Sequence, residues 1–180
     1  GRRISTAISG ASRVTGLGWF RDVDFVSTFV AVSGGKLWED VSGTWTERSS
    51  GTPFDTTALT TLVPLGRNIV VSDQTNVPRI WNGSGGVDVL GSDQVLRFAR
   101  VGCMAAHKGF LFVGDPTYSG VRQHFQVFHC QEPGQPTVFT DGKSDTNQTD
   151  QTLQLVPTAD YLLIFLDTEV WYAVYSPTGA

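Results

Sequence analysis

The fold is decided by residues 68–83, where an apolar strand, a turn and a tryptophan-centred strand follow one another. The first strand is Asn68-Ile69-Val70-Val71-Ser72, and the second is Arg79-Ile80-Trp81-Asn82-Gly83. β-branched and aromatic side chains favour a pleated sheet, whereas the Gly, Asn, Asp and Pro residues of this stretch favour turns. It therefore predicts a β-hairpin, followed by a tight turn at Asn82-Gly83 that requires a positive φ.

This succession of strand, turn and aromatic strand occurs four times along the chain. The aromatic centres are Trp38, Trp81, a third near Phe125 or Val127, and Trp171. Trp38 and Trp81 are 43 residues apart, and Trp81 and Trp171 are 90 residues apart, so the period is forty-odd residues. A fixed period of this length is the sequence signature of a repeat architecture.

Four strands in each repeat are typical of a propeller blade. We therefore predict an all-β fold, a β-propeller-like array of about four four-stranded blades covering residues 14–50, 54–91, 99–142 and 151–176. We expect the chain to be part of a longer one, which leaves a larger propeller open. The alternative is a β-sandwich, which gives no reason for the period.

Six residues are the predicted structural anchors of these blades. Trp38, Trp81 and Trp171 are expected to pack between sheets, and Gly83 to occupy the tight turn. Asp40-Val41-Ser42-Gly43-Thr44-Trp45 is similar to the Asp-box hairpin of sialidase-like propellers, although Ser42 stands in the glycine position. The likeness implies that the Asp40 carboxylate accepts N–H groups of the turn and that Trp45 packs between sheets.

Composition and charge exclude several function classes. Charged residues make up 17% of the chain and the net charge is −4, which argues against broad affinity for nucleic acid. It does not exclude a lumen through which DNA passes without binding. Cys103 and Cys130 are expected to be free buried thiols, with one disulfide as the alternative.

Known catalytic and metal-binding motifs are absent from the sequence. His107, His124 and His129 lack the spacing of a zinc site. Residues 141–150 contain three aspartates but depart from a calcium loop at its sixth and twelfth positions, so we interpret them as a solvated linker. No nucleophile elbow or phosphate-binding loop is present. We therefore predict no enzyme activity, no catalytic residues, no cofactor and no metal.

Several segments together resemble one family. Residues 68–83 are similar to the strand, Thr-Asn-x-Pro and x-x-Trp-Asn-Gly segment of podovirus-type phage tail hub, nozzle and DNA-stabilisation proteins. Residues 105–114 resemble the next strand of those proteins, with Phe110 in place of the usual Arg, and residues 16–21 and 32–38 resemble their first blade. The resemblance spans roughly residues 14–175 and depends on the order of the motifs.

The resemblance implies a structural component of a phage tail that contributes to tail assembly, DNA retention and the DNA exit channel. It implies partners as well: other copies of the chain in a symmetric ring, a portal or adaptor protein, other tail proteins, and double-stranded DNA that passes without sequence-specific binding, with no membrane. The protein would be made in the host cytoplasm and reside in the virion tail. The alternatives are a carbohydrate- or receptor-binding propeller, using aromatics such as Trp45, Trp81 or Tyr118, and a glycoside hydrolase propeller with a central carboxylate pair.

Overall fold

The computed structural model describes residues 7–8, 13–90, 98–145 and 150–174, and of residues 137–138 and 140–145 the backbone alone. Sixteen strands and no helix are present in these ranges. Accordingly, the described residues contain no helix long and apolar enough to cross a membrane.

The strands follow one another in the order of the predicted repeat. They are β1 (Val14–Arg21), β2 (Ser27–Ser33), β3 (Lys36–Val41), β4 (Thr44–Glu47), β5 (Thr61–Leu65), β6 (Asn68–Ser72), β7 (Arg79–Trp81), β8 (Asp88–Val89), β9 (Phe98–His107), β10 (Phe110–Tyr118), β11 (Val121–Arg122), β12 (Gln126–Glu132), β13 (Gln135–Asp145), β14 (Thr152–Pro157), β15 (Tyr161–Leu166) and β16 (Val170–Val174).

These strands form four separate antiparallel sheets, which we call blades 1 to 4. Blade 1 has the order β1-β2-β3-β4 and blade 2 the order β5-β6-β7-β8. In blade 3, β9 pairs with one edge of β10, while β11 and β12 share its other edge and β13 pairs with β12. Blade 4 has three described strands, in the order β14-β15-β16. The sandwich interpretation is wrong, because the strands form four sheets rather than two layers.

Two-residue turns set the register of the hairpins. Ser42 and Gly43, between β3 and β4, have φ values of 52° and 88°, and Lys108 and Gly109, between β9 and β10, have 50° and 87°. Two successive positive φ angles match the right-handed twist of the flanking strands. The turn predicted at Ser42-Gly43 therefore lies where the sequence placed it.

The described residues up to Leu90 form one compact unit, in which blades 1 and 2 pack face to face. Their shared core contains Phe20, Val30, Val32 and Leu37 of blade 1, Ile69, Val71 and Trp81 of blade 2, and Phe54 of the connecting segment. A Cβ on Gly16 would lie 2.4 Å from Leu62 Cδ1. The small residues of β1 thus allow blade 2 to approach closely, which a side chain there would prevent.

The described residues from Phe98 onward form the second unit, in which blades 3 and 4 pack in the same way. Ala105 and Val127 of blade 3, with partly buried Cys103 and Phe112, pack against Leu155, Leu162, Ile164 and Leu166 of blade 4. Gly114 has the role of Gly16, since a Cβ there would lie 2.7 Å from Thr152 Cγ2.

The registers locate the aromatic centre of each repeat. Trp38 pairs with Ala31, Trp81 with Ile69 and Trp171 with Ile164, always between the second and third strands of a blade. In blade 3 the equivalent pair is Val113 and Phe128. The third centre is therefore Phe128, adjacent to the predicted Val127, and the steps are 43, 47 and 43 residues.

Candidate functional site

Buried carboxylates in the first unit bind backbone N–H groups. Asp22, 8% exposed, follows β1, and its Oδ1 accepts hydrogen bonds from the N–H groups of Asp24 (3.0 Å) and Val26 (2.9 Å). Its Oδ2 accepts one from the Thr28 hydroxyl at 3.0 Å. With its acceptors used in this way, Asp22 stabilises the turn between β1 and β2.

Asp73 connects the middle of blade 2 to the segment that enters the blade. It is 1% exposed and follows β6. Its Oδ1 accepts from the N–H groups of Thr75 and Asn76, and its Oδ2 accepts from the Asp55 N–H, 18 residues earlier in the chain, at 2.5 Å. Burial raises the pKa of Asp73, but hydrogen bonds from the Asn76 side chain and from these N–H groups outweigh it, so the pKa lies below its usual value.

Asp115 is the centre of the densest charged cluster among the described residues. It is 1% exposed and contacts two arginines: Arg100 Nη2 lies 3.1 Å from its Oδ2, and Arg122 Nε lies 2.7 Å from its Oδ1. Gln151 Nε2, in the segment that enters blade 4, lies 3.4 Å from Oδ2. The hydrogen bonds to this carboxylate raise the pKa of Arg122.

Asp167 completes the series of turn aspartates. It follows β15, and its Oδ1 accepts from the Gln151 N–H at 3.0 Å. Asp73 and Asp167 each follow the second strand of a blade and bind the backbone of the segment that enters it, whereas Asp115 lies within β10, the second strand of blade 3. We call these three residues the latch aspartates. Sequence reasoning treated them as turn residues only, but aligning the ends of the apolar runs in the repeats would have identified them.

The predicted turn anchors lie in the expected local geometry. Asp40 Oδ1 accepts a hydrogen bond from the Gly43 N–H at 2.7 Å, as in an Asp-box hairpin. Gly83 has a φ of 92°, and a Cβ there would lie 2.2 Å from Asp22 Cβ. Val23 N–H also donates to Asn82 O at 3.1 Å, so the two loops are in direct contact.

The predicted tryptophan anchors differ in burial. Trp81 is 2% exposed, its ring centroid lies 5.5 Å from that of Phe20, and it forms part of the core between blades 1 and 2. It is therefore not accessible for stacking on a sugar. Trp171 lies on the face of blade 4 that meets blade 3 but is 41% exposed, because it belongs to the edge strand of that sheet. Trp38 and Trp45 are half-buried on the opposite face of blade 1 from the core.

Histidines and cysteines form no metal or redox centre in the described residues. No group of three or more His, Cys, Asp or Glu side chains there could hold a metal ion. Cys103 and Cys130 are free thiols, so the disulfide alternative is wrong. Burial, together with the negative charge of Asp115, raises the pKa of Cys103 to about 12. His107 is 5% exposed, and burial lowers its pKa. Most of the possible calcium loop, residues 141–149, lies outside the described side chains.

The face of blade 1 opposite the core is aromatic and exposed. Its large side chains, which we call the outer face of blade 1, are Leu17, Trp19, Phe29, Trp38 and Trp45. Leu17 is 59% and Trp19 58% exposed. The Trp19 ring stacks on Phe29 with centroids 4.4 Å apart, and Phe29 lies 5.6 Å from Trp45. The aromatic row therefore runs across the sheet from β1 to β4.

Blade 4 has a corresponding apolar face on the side away from blade 3. We call Tyr161, Leu163, Phe165, Tyr172 and Val174 the outer face of blade 4. Tyr161 is 45%, Tyr172 67% and Val174 60% exposed. The two tyrosine rings meet edge to face at 5.5 Å, and a shallow groove lies among Tyr161, Leu163, Tyr172 and Val174. Sequence reasoning missed both outer faces, although the alternation within β1 and β15 contains the signal.

Comparisons with known proteins identify the fold and no family. No protein-family profile and no curated protein matches the chain. A chain in a crystal structure of BBS1N in complex with ARL6DN, soaked with lead, is similar in structure, with a TM-score of 0.50 and 12% sequence identity. The match covers 93% of this chain and 67% of that one. BBS1N is a β-propeller domain, so the predicted all-β, propeller-like fold is confirmed.

Proposed function

We propose that this chain is a structural, non-catalytic β-propeller component of a phage tail, of the hub or nozzle type. One observation carries the proposal: within the described residues, blades 1 and 4 each have a sheet face rich in exposed aromatic and apolar side chains, whereas the buried carboxylates hold loops and strands. Exposed contiguous apolar surface of this kind is typical of protein–protein contacts. The resemblance of residues 68–83 and 105–114 to podovirus-type tail proteins supports this class of assembly.

The charge of the chain is compatible with that role. A net charge of −4 leaves no surplus of Lys and Arg to neutralise phosphates. DNA could therefore move past such a subunit without being retained by it. In this proposal the protein contacts a portal or adaptor protein and other tail proteins, contributes to DNA retention and ejection, and resides in the virion tail after synthesis in the host cytoplasm.

The proposal is tested on particles of the source phage. Mass spectrometry of purified virions should detect the chain in stoichiometric amounts, and cryo-EM should place its blades in the tail. Particles produced without the gene should lose packaged DNA, and complementation with the wild-type gene should restore them. If purified virions lack the chain, or if its loss leaves tails and DNA content unchanged, the tail role is wrong.

A carbohydrate-binding role is the second candidate, and the exposed tyrosine pair of blade 4 supports it. Tyr161 and Tyr172 flank a groove and could stack on a sugar ring. The outer face of blade 1 fits a sugar less well, because Trp19 and Phe29 stack on each other and so occupy ring faces that a sugar would need. A glycan array should show binding that Tyr172→Ala abolishes and Leu59→Ala, outside the groove, preserves. An array without binders counts against this candidate.

A further inference from the structure

The two outer faces are halves of the kind of contact that each unit makes between its own two blades. In blades 2 and 4, the face that carries Trp81 or Trp171 packs against the preceding blade. In blade 1, the equivalent face carries Trp38 and remains partly exposed. Its complement is the face that a blade turns toward the next blade, and blade 4 exposes such a face at Leu163 and Tyr172.

We infer that the outer face of blade 4 packs on the outer face of blade 1 of a second copy of this chain, head to tail, and that two copies close through two such contacts. The inference rests on the proposed assembly role and names the partner and the surfaces. Both faces have large apolar and aromatic side chains at their centres, and the outer face of blade 1 also carries Asp40 and the Lys36–Glu47 ion pair. A second copy supplies the matching face to each of them.

The available area favours a closed pair over an open chain. A large aromatic side chain can bury ~150–250 Å². Each outer face has five large side chains with an average exposed fraction of about two fifths, so roughly 400 Å² of each face is available for burial. One contact then buries roughly 800 Å² in total, in the range of weak contacts, whereas a pair with two contacts buries roughly 1,600 Å², the size of a stable interface. Two-fold closure also leaves neither outer face exposed.

The test begins with the mass of the purified chain in solution. Size-exclusion chromatography with light scattering should give twice 19.5 kDa at micromolar concentration. Trp19→Glu and Tyr172→Glu should each raise the dissociation constant of the pair by about a hundredfold or more, because a two-fold pair contains the buried charge twice. Leu59→Glu is the matched control: Leu59 is 70% exposed in the segment before β5, and its substitution should leave the pair intact. Circular dichroism and a thermal melt confirm that each variant is folded.

Cross-linking then distinguishes head-to-tail from like-with-like contact. A Leu17→Cys chain and a Tyr172→Cys chain are treated with a flexible bis-maleimide, separately and mixed. In a head-to-tail pair, each contact joins blade 4 of one copy to blade 1 of the other. Two copies of the same variant therefore place their new thiols in different contacts and do not cross-link, whereas a mixed pair brings the two thiols together in one contact. Of the native thiols, Cys103 is partly buried and Cys130 is buried, and the wild-type chain treated in the same way gives their background.

Each alternative result has a definite meaning. A wild-type monomer at high concentration overturns the inference, and so does cross-linking of either single variant alone, since that indicates a like-with-like contact. Loss of the pair in Leu59→Glu also overturns it. These results are independent of the virion experiment: a chain that pairs in solution but is absent from virions contradicts the tail role and leaves the pairing intact.

Discussion

Gly83 lies so close to Asp22 that its replacement by alanine should destabilise the first unit strongly. The φ of 92° is unfavourable for an L-residue and costs about 1–2 kcal/mol. A Cβ would lie 2.2 Å from Asp22 Cβ and 3.2 Å from Asp22 Cγ, so Asp22 must move. Asp22 accepts three hydrogen bonds, and hydrogen bonds to charged groups contribute about 1.5–3 kcal/mol each. Weakening one of them brings the total to about 3–5 kcal/mol.

Gly85→Ala provides the matched control for Gly83→Ala. Gly85 also has a positive φ, 64°, but a Cβ there would meet nothing within 4 Å. Its substitution should therefore cost the backbone strain alone, about 1–2 kcal/mol. Urea denaturation followed by tryptophan fluorescence measures both, since Trp81 is buried between blades 1 and 2. With a slope of about 2 kcal/mol/M, Gly83→Ala should lower the urea midpoint by about 1.5–2.5 M relative to the wild type, against about 0.5–1 M for Gly85→Ala.

A double-mutant cycle isolates the contact between Gly83 and Asp22. Asp22→Gly removes the Cβ that would clash with the Cβ of the new alanine, and it also removes the three hydrogen bonds that the Asp22 carboxylate accepts. In that background Gly83→Ala should cost no more than Gly85→Ala, which gives a coupling energy of about 1–3 kcal/mol. Equal costs of Gly83→Ala and Gly85→Ala in the wild-type chain, or a coupling near zero, would refute the reasoning.

Three further substitutions test the carboxylates and the thiol. Asp115→Asn should lower stability by about 1.5–3 kcal/mol, because it weakens the charge-assisted hydrogen bonds from two partly exposed arginines. Glu47→Gln, in a partly exposed ion pair, should cost about 1 kcal/mol or less in the same urea titration. Asp73 has a lowered pKa in the folded protein, so its stabilising effect is present above its unfolded pKa and is lost as the pH falls through the acid range; Asp73→Asn should flatten that part of the stability profile. The pKa of Cys103 is raised from 9.0 to about 12 in the folded protein, so the stability that the protonated thiol contributes is present below pH 9 and is lost between about pH 9 and 12. Cys103→Ala should remove this loss of stability at high pH, and thiol labelling of the native protein at pH 8 should be slow.

The period and the strands could be predicted from the sequence because both depend on local patterns. Apolar runs ended by Gly, Asn or Asp locate β2, β6, β10 and β15, and the Asp40–Gly43 hydrogen bond follows from a short hairpin motif. The third aromatic centre was predicted near Phe125 or Val127 and lies at Phe128, and the difference has a physical reason. Val127 and Phe128 point to opposite faces of β12, and only the strand pairing with Val113 determines which of them corresponds to Trp81.

The roles of the latch aspartates and of the outer faces could not be predicted in the same way. Asp73 and Asp55 are close only because the entering segment returns to the turn after β6, a contact between distant parts of the repeat. Trp38, Trp81 and Trp171 look alike in the sequence, yet only Trp81 is fully buried: Trp38 lies on the face of blade 1 opposite the core, and Trp171 lies on the edge strand of blade 4. Burial at a repeat position depends on neighbouring blades as well as on the residue type.

The latch aspartates have a consequence for how the chain folds during synthesis. Every described strand pair joins neighbours or next neighbours in the sequence, and Asp73 reaches back only 18 residues to Asp55. Loop-closure entropy is small over such distances, so a blade is able to form soon after its own residues have left the ribosome. Once formed, it offers an ordered apolar face to the next blade. We therefore expect blades to form one after another from the amino terminus, with little exposed strand edge awaiting a partner from later in the chain.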